Sequence, residues 1–357
     1  MPLKNLPASA IEAISRVRQS MPDSQLDIAD RMATISAHHI PTFRDDALKK
    51  RIDRMKRSLV AHYSGDEKQH RILFVIGDSH SGKSSLIEHV LATDPAFDTY
   101  VDSDGVDAMT VLLMDGPSPC TLRNIAYDGL EKLGYPVKAN LTESRIWPLF
   151  REQLKRRKVL FIVIDEAQHA VKNNTSDYEI QKVRDTFKHL VQMPDWPIRL
   201  ILCGVSPLER LREGDKQIET RSTMMRLGSL TAQHTAHVVS YIELVVTRHA
   251  ELRLGDFLGG DFAERVIHAC GGCFGSIVKL IRLAVENTLL KGDATVTAES
   301  FAAAYGEMSG CSPTSNIFTA SEWQALEAGA AKIVDHSDED TPSAPKPKRI
   351  RAGERRA

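Results

Sequence analysis

The most informative chemical feature of the chain is the run Gly77-x4-Gly82-Lys83-Ser84. It follows an apolar stretch at 71–76 and opens a helical pattern at 83–92, which is the strand–loop–helix context of a phosphate-binding loop. Glycines let the backbone turn so that successive N–H groups face phosphate oxygens. We expect Lys83 to place its cation on the β- and γ-phosphates of ATP and the Ser84 hydroxyl to ligate Mg²⁺.

The second chemical feature is a pair of acids, Asp165 and Glu166, which follows another apolar run, Leu160 to Ile164. A buried strand that ends in an acid delivers a carboxylate beside a phosphate loop, where it can hold Mg²⁺ through water. Asp165 fits that role. Glu166, the next residue, is placed to polarise a water for in-line attack on the γ-phosphate. The chain is therefore predicted to hydrolyse ATP to ADP and phosphate.

The run at 198–203 is expected to lie between the two strands that carry these motifs. A polar residue at its end would contact the γ-phosphate or the attacking water, and Ser206 is the candidate, with Cys203 as the alternative. The predicted nucleotide-binding residues are Gly77, Asp78, Ser79, His80, Ser81, Gly82, Lys83, Ser84, Ser85, Asp165 and Ser206, of which Ser84 and Asp165 are the predicted metal ligands.

One catalytic residue is predicted to act on a neighbouring subunit. Oligomeric ATPases place an arginine that reaches a neighbour's γ-phosphate, and Arg221 and Arg226 lie just before the last helical region. Arg221 is the preferred candidate, although either residue could be an ordinary surface arginine. The predicted catalytic set is Glu166, Lys83 and Arg221.

The elements that position these residues alternate between short apolar runs and helical patterns, which indicates a parallel sheet covered on both faces. From Thr231 to Met308 only helices are predicted. The fold class is α/β, a five-stranded P-loop domain followed by a small all-helical lid. The expected strands are 71–76, 109–114, 159–164, 198–203 and a weaker one at 227–230; the expected helices include 83–92, 121–133, 144–156 and 178–192. The predicted units are a helical arm (1–65), the P-loop domain (66–230), the lid (231–310) and a loop with a disordered charged tail (311–357).

Composition sets the cellular context. The 357 residues are 42% hydrophobic and 26% charged with a net charge of −1, so no global field directs the chain to nucleic acid or membrane. We find no N-terminal signal pattern and no run of about 18 apolar residues. Five cysteines without a disulfide spacing suit a reducing compartment. A cytoplasmic protein without membrane contact is expected.

Two other patterns have simpler explanations than a metal site. Cys270-Gly-Gly-Cys273 has no second pair to complete tetrahedral zinc, so two buried thiols in a helix–turn–helix are the better interpretation. The pair His38-His39 has no partner constellation in sequence and is interpreted as a solvated segment.

With these motifs in hand, the chain resembles the AAA+ ATPases, and more narrowly the TniB/TnsC transposition regulators. Residues 75–83 (VIGDSHSGK) are similar to the family's "LxVGDSxxGKT" loop, and residues 164–169 (IDEAQH) match its "iDExQH". The proline-rich run 115–121 and the helix end 130–136 (LEKLGYP), similar to "iLxxLGxP", add to the resemblance. It covers roughly residues 35–310 and includes the arm around Arg44.

The resemblance implies a protein that binds ATP and Mg²⁺ and oligomerises on double-stranded DNA as a ring or helical filament. It also implies a DDE transposase as partner, recruited or activated at a target site, and a target-selection protein as a further partner. Hydrolysis is expected to be slow and to act as a switch, with the protein nucleoid-associated while on DNA.

The chain departs from the family pattern at three places. Ser84 replaces the usual threonine, and Arg221 is followed by Ser222 where phenylalanine is typical. Gly275 stands where many AAA+ initiators carry a sensor arginine, a role that Lys279 or Arg282 could take.

DNA contacts are expected to be few per subunit and independent of sequence, because affinity sums along a polymer and no base-reading module is present. Thr121, Arg123 and Lys172 are the candidates, and the basic helix 49–57, the pair Lys182 and Arg184, and the tail 346–356 are further ones. The basic helix could equally be a solvated face over an apolar stripe.

Two other classes of function remain open at this point. Another AAA+ branch, such as a helicase loader, an initiator or a secretion-associated ATPase, shares the P-loop. An initiator generally appends a winged-helix domain after its lid, whereas only about 45 residues follow Cys311 here. A small-molecule kinase also shares the loop, but it needs an acceptor pocket in place of the pair Asp165-Glu166.

Overall fold

The computed structural model describes residues 7–64, 69–117, 120–137, 141–171 and 175–330. Lys172 and the tail at 346–356 lie outside the described residues. So does part of the proline-rich run, at positions 118 and 119.

The chain begins with three helices: α1 (Ala8–Ser20), α2 (Asp23–Ala37) and α3 (Phe43–Ser64). Proline at position 22 precedes α2, where its fixed φ suits the start of a helix. On α3 the apolar residues recur at helical spacing, and Leu48, Ile52 and Met55 are fully buried. The predicted apolar stripe of this helix is therefore confirmed.

A five-stranded parallel sheet forms the centre of the molecule. Its strands are β1 (Ile72–Gly77), β4 (Val111–Asp115), β5 (Phe161–Asp165), β6 (Arg199–Gly204) and β7 (Ser222–Leu227), in the order β4-β5-β6-β1-β7; β2 (Tyr100–Val101) and β3 (Asp107–Ala108) form a small separate hairpin. The two motif strands are separated by β6, as predicted.

The fifth strand was predicted at 227–230, and that position is wrong. The strand is Ser222–Leu227, paired with β1 from Ile72↔Ser222 to Gly77↔Leu227. As an edge strand it is buried at only some positions, so its sequence STMMRL lacks the continuous apolar run that marks the inner strands.

Helices cover both faces of the sheet. They are α4 (Lys83–Ala92), α5 (Leu122–Lys132), α6 (Glu143–Arg156), α7 (Asp177–Val191) and α8 (Lys216–Arg221), and the four expected helices match α4 to α7 within one or two residues. Phe74 and Ile162 join one apolar core with α5, α6 and α7, while Leu73 and Val75 join a second core with α3 and α4. This alternation of core faces along each strand follows from the period of two residues in a strand.

A helical region follows the sheet. It contains α9 (Thr235–Glu243), which continues as a π-helical turn to His249, then β8 (Arg253–Leu254), α10 (Phe262–Ala269), α11 (Phe274–Leu290), β9 (Thr295–Val296) and α12 (Ala298–Ser309). The pair β8–β9 is parallel and two residues long, so the expectation of helices alone is wrong at this one point. Strands this short give no periodic signal in the sequence.

The lid core extends in both directions beyond 231–310. Ile35 and Ile40, at the end of α2 and just after it, belong to its apolar cluster. So do Ile317 and Trp323, and the Trp323 indole donates a hydrogen bond to Asp261 at 2.6 Å. The arm is thus divided in its packing, with α2 on the lid and α3 on the sheet.

No described helix combines the length and the apolarity needed to cross a bilayer. Only α10 and α11 taken together reach that apolarity, and they are bent by 116°.

Candidate nucleotide site

The register of the sheet collects the predicted site residues at one edge. Ile76 pairs with Gly204, and Asp115 pairs with Asp165, so β1, β5 and β6 all end on the same side. The phosphate loop follows β1 at this edge, and the two acids follow β5. Parallel strands bring their carboxyl ends together in this way, which is where α/β sheets bind ligands.

Lys83 points back into its own loop. Its ammonium donates hydrogen bonds to the carbonyl oxygens of Gly77 at 2.9 Å and Asp78 at 2.8 Å, and only 4% of the residue is exposed. Burial lowers the pKa of Lys83, and the neighbouring carboxylates of Glu166 and Asp165 partly offset that effect. A buried cation of this kind gains from an anionic ligand that supplies further charged hydrogen bonds.

The loop has room for phosphate oxygens only because of its small residues. A Cβ at Gly77 would lie 2.8 Å from both the Ser81 hydroxyl and Leu227, and Gly82 adopts a φ of 87°. The Ser81 hydroxyl is buried without a hydrogen-bond partner in the described residues. Buried hydroxyls are normally satisfied, so an oxygen-rich anion fits this position.

The outer side of the loop is held by the protein itself. The N–H of Gly275, in the first turn of α11, donates to the carbonyl of His80 at 2.9 Å, and the Cys273 thiol lies 3.5 Å from the same oxygen. Arg44 donates to the carbonyl of Ser81 at 3.0 Å. The N–H of Ser81 donates within the loop to the Asp78 carbonyl at 3.0 Å. With the Ser81 carbonyl engaged by Arg44, the N–H of Gly82 in the same peptide group points the opposite way, as such a loop requires for binding phosphates.

Arg44 joins three parts of the fold. Besides Ser81 it donates to the carbonyl of Gly228 at 2.6 Å, and its guanidinium lies 5.5 Å from the centre of the Phe274 ring. Burial lowers the pKa of Arg44. One side chain from α3 therefore fixes the phosphate loop relative to both the segment leading into the lid and α11.

The acids after β5 are held in a specific arrangement. Asp165 accepts the N–H of Glu166 at 2.9 Å, and Glu166 has the left-handed conformation φ 50°, ψ 33°, which is uncommon for a residue with a side chain. The Glu166 side chain remains 47% exposed and accepts a hydrogen bond from the amide of Gln168. A half-exposed carboxylate at this edge can contact a water.

Ser206, expected to contact the γ-phosphate or the attacking water, is bonded within the protein after the end of β6. The Ser206 hydroxyl is exposed and donates to Glu209 at 3.1 Å, and Arg226 lies 3.7 Å from the same carboxylate oxygen. Cys203 is fully buried, which raises the pKa of its thiol. Cys203 therefore belongs to the apolar core between the sheet and helices α3 and α4. A contact between Ser206 and phosphate stays a prediction.

A cavity of about 870 Å³ opens beside the loop. Its walls come from the α2–α3 corner, α4 and α11, and include Ser81, Gly82, Ser85 and Gly275. The volume lies in the usual range for small-molecule sites, and the continuity with the phosphate loop matches a nucleoside next to its phosphates. Lys279 and Arg282, the proposed sensor substitutes, also line it.

Two imidazoles stack where the α2–α3 corner meets α4, on one side of this cavity. The rings of His39 and His89 are stacked 3.5 Å apart, and the His39 Nε2 lies 2.6 Å from Asp45. Asp45 in turn accepts hydrogen bonds from the N–H and hydroxyl of Thr42. These three side chains lie close enough to hold a cation, and their stacking and hydrogen bond join the α2–α3 corner to α4 without one. The cluster thus serves to fix the α2–α3 corner against α4, and His39, predicted to be solvated, is half-buried.

The two arginine candidates lie at opposite ends of one strand. Arg226 pairs with Ile76 at the phosphate edge, whereas Arg221 precedes Ser222 at the far edge, about 17 Å away for five strand residues. The Arg221 guanidinium lies 3.4 Å from the backbone and side-chain oxygens of Gln217 in its own helix, and the Arg221 carbonyl accepts the N–H of Arg71 at 2.8 Å. Its role in a neighbouring subunit is not visible in one chain and stays a prediction.

The DNA candidates lie on different surfaces. Thr121 accepts the N–H of Asn124 and caps α5, while Arg123 donates to the carbonyl of Leu141 at 2.8 Å. Arg184 is held by the carbonyls of Leu211, Arg210 and Glu213, and Lys182 lies over the Tyr178 ring. On α3 the exposed cations are Lys49, Lys50, Arg54 and Arg57.

The sequence profile of the family described as "Bacterial TniB protein" matches residues 31–230, which is more than half of the chain. The chain belongs to the TniB family. The match spans α3, the phosphate loop, both acids and β7, so it covers every element that builds the edge described above.

Solved structures show the same fold at low sequence identity. Cdc6p from Pyrobaculum aerophilum is 13% identical with a TM-score of 0.54, and the match covers 77% of this TniB-family chain and 70% of that one. ORC1 of Aeropyrum pernix, solved in complex with DNA, is 15% identical with a TM-score of 0.52, covering 76% and 66%. Both are AAA+ ATPases in fold, as predicted for this chain. No curated protein matches the chain.

Several functional contacts of this TniB-family chain were missed at the sequence level. Arg44 and Gln168 were noted only through the family resemblance, and the cavity beside the phosphate loop was not predicted. Arg44, in the basic arm, is a charged residue that is buried, and no sequence period reveals that. Gln168 had one available signal, its position two residues after Glu166, the predicted water-activating acid.

The structure explains why this TniB-family chain has glycine at position 275. A Cβ there would lie 2.1 Å from the carbonyl oxygen of His80, a contact that no side chain tolerates. A sensor arginine at 275 is therefore incompatible with the packing of α11 on the loop. The two thiols at the preceding turn, Cys270 and Cys273, are buried as predicted.

We expect Gly275→Ala to destabilise the protein by about 1–3 kcal/mol, the usual cost of overpacking, because the lid and the phosphate loop must separate to admit the methyl group. ATP affinity should fall with it, since His80 belongs to the loop. Thermal unfolding and nucleotide titration measure the two effects. Gly306→Ala in α12 is the control, because a Cβ there meets nothing within 4 Å. Equal behaviour of the two variants would contradict the tight contact.

Proposed function

We propose that the chain is an ATP-dependent regulator of DNA transposition. It binds ATP with Mg²⁺, assembles on double-stranded DNA without sequence preference, and recruits or activates a DDE transposase. The observation that carries the proposal is the meeting of Lys83 with Asp165 and Glu166 at one sheet edge, in a chain of the TniB family. The similar ORC1 structure was solved in complex with DNA, so a protein with this fold can bind DNA.

Each residue of the edge has a role in hydrolysis. Lys83 would exchange its two loop carbonyls for phosphate oxygens, and Glu166 would accept a proton from the attacking water. Bound Mg²⁺, held by Ser84 and Asp165, would neutralise charge on the β- and γ-phosphates. Slow turnover suits a switch, because the ATP-bound assembly then lasts long enough to recruit a partner.

Arg221 is proposed as the residue that acts on the neighbouring subunit. Its position at the far edge removes it from its own nucleotide, whereas Arg226 is near an acidic group of its own chain, Glu209. An arginine that completes a site in trans makes hydrolysis depend on assembly. Oligomerisation and ATP turnover would then be coupled.

DNA contact is proposed to run over the exposed cations of α3 and the surface near Thr121 and Arg123. Each subunit needs only a few phosphate contacts when the polymer sums them. A near-neutral chain is compatible with that arrangement.

ATP-dependent light scattering on random-sequence duplex DNA tests the proposal. We expect scattering to rise when ATP, Mg²⁺ and duplex are all present, and to fall as salt increases, because phosphate contacts release counterions. A helicase loader or initiator would not polymerise on a random duplex, and a small-molecule kinase would show no response to DNA. ATP turnover without any DNA-dependent assembly would contradict the transposition role and leave the ATPase role intact.

A further inference from the structure

Gln168 lies between the end of β6 and the acid that follows β5. Its side-chain amide donates to the Glu166 carboxylate, and its amide oxygen accepts the N–H of Val205 at 3.2 Å. Only 5% of Gln168 is exposed. The bridge therefore joins two of the three strand ends that form the nucleotide edge.

The orientation of this amide is determined by its partners. A backbone N–H can only donate, so the atom facing Val205 must be the oxygen of Gln168. The amide nitrogen then faces Glu166, whose carboxylate can only accept when ionised. No alternative flip of the amide satisfies both partners.

The surroundings fit this amide closely. A Cβ at Gly204 would lie 2.2 Å from the Gln168 amide oxygen, and a Cβ at Gly116 would lie 2.5 Å from the carbonyl oxygen of Glu166. Glycines at the ends of β6 and β4 thus leave the space in which Glu166 and Gln168 lie. Glu166 itself has a left-handed backbone conformation, with a φ of 50°.

We propose that Gln168 is the positioning residue for the water-activating carboxylate of Glu166. By donating to one carboxylate oxygen it holds the group in a single orientation and leaves the other oxygen to accept the proton of the water. Because the same amide is anchored on Val205, a displacement of the β6 end moves the carboxylate as well. This inference rests on the proposed ATPase function.

Three substitutions separate hydrogen bonding from packing. Gln168→Glu keeps the shape and the acceptor but has no N–H to donate when ionised, and Gln168→Met keeps the volume without either group. Gln168→Ala removes the hydrogen-bonding groups and most of the side-chain volume. We expect all three to lower kcat about 10–100-fold, the usual effect of losing a group that orients a reacting residue, with KM for ATP unchanged within about two-fold. Gln153→Met, at a buried glutamine of α6, is the matched control and should keep wild-type kcat.

A double-mutant cycle distinguishes positioning from a purely structural role. If Gln168 acts through Glu166, then adding Gln168→Ala to Glu166→Gln causes no further loss of the residual rate. Additive losses, or a wild-type kcat in Gln168→Met, would overturn the inference. The hydrolytic role of Glu166 is tested separately from that of Gln168, because it is contradicted if Glu166→Gln alone leaves hydrolysis unchanged.

Gly204→Ala provides a test that leaves both side chains intact. The added methyl group displaces the Gln168 amide, so kcat should fall about 10-fold or more while ATP affinity is kept. Gly259→Ala, where a Cβ meets nothing within 4 Å, is the control. Equal kcat in the two glycine variants would contradict the role of the bridge.

Discussion

Lys83→Ala is expected to abolish ATP binding and, with it, ATP-dependent assembly on DNA. The lysine is buried with two loop carbonyls as partners, so its removal leaves the loop without the cation that attracts phosphates. Losing a buried charged contact costs about 3 kcal/mol or more, which corresponds to at least about 100-fold in Kd. Titration with a fluorescent ATP analogue measures the affinity, and light scattering measures assembly.

The matched control is Lys155→Ala. Lys155 lies on α6 and forms an ion pair with Asp195 at the surface. Exposed pairs contribute little to stability, so this variant should bind ATP and assemble as the wild type does. If Lys83→Ala kept magnesium-dependent ATP affinity within a few-fold of wild type, the assignment of the phosphate loop would be wrong.

Glu166→Gln is expected to keep ATP binding and to lower hydrolysis by about 10²–10⁴-fold, the usual contribution of a general base. The substitution is isosteric, and a glutamine at 166 can still accept a hydrogen bond from Gln168 through its carbonyl oxygen. The nucleotide stays as ATP, so the polymer should stay on DNA. Phosphate release measures turnover, and the decay of light scattering after dilution measures the lifetime of the assembly.

Glu152→Gln, at an exposed position of α6, controls for the loss of one negative charge. Its turnover and its decay after dilution should match those of the wild type. Rapid disassembly of Glu166→Gln would show that hydrolysis does not drive release from DNA, which removes the switch from the proposed function.

The inner strands and their helices were predictable because their burial is continuous along the sequence. The strands β1 and β5 are mainly apolar runs, and β6 is apolar after its first residue, Arg199. Helix α4 was predicted with both of its ends correct. The edge strand β7 was displaced in the prediction because one side of it lacks a neighbouring strand and carries polar residues. Sequence patterning detects burial, and β7 has too little of it.

The site was predictable where chemistry and spacing coincide. The loop ending in Lys83 and the pair Asp165-Glu166 meet at one edge because parallel strands end together. The cavity beside the phosphate loop could not be predicted from sequence, because its walls come from regions near His39, Ser85 and Gly275, which are distant in sequence. The contacts of Arg44 and of Gln168 are each made by one side chain, and a single side chain leaves no periodic pattern in the sequence.

The contact between α11 and the phosphate loop has a mechanical consequence. Gly275, in the first turn of α11, and Cys273, just before that helix, both contact the His80 carbonyl of the loop. Arg44 links the same loop to Gly228, in the segment leading into the lid. A rotation of the lid would therefore displace the peptide groups of the loop that we propose binds ATP. If the chain oligomerises as proposed, the position of the lid and the conformation of the loop would be coupled through these few hydrogen bonds.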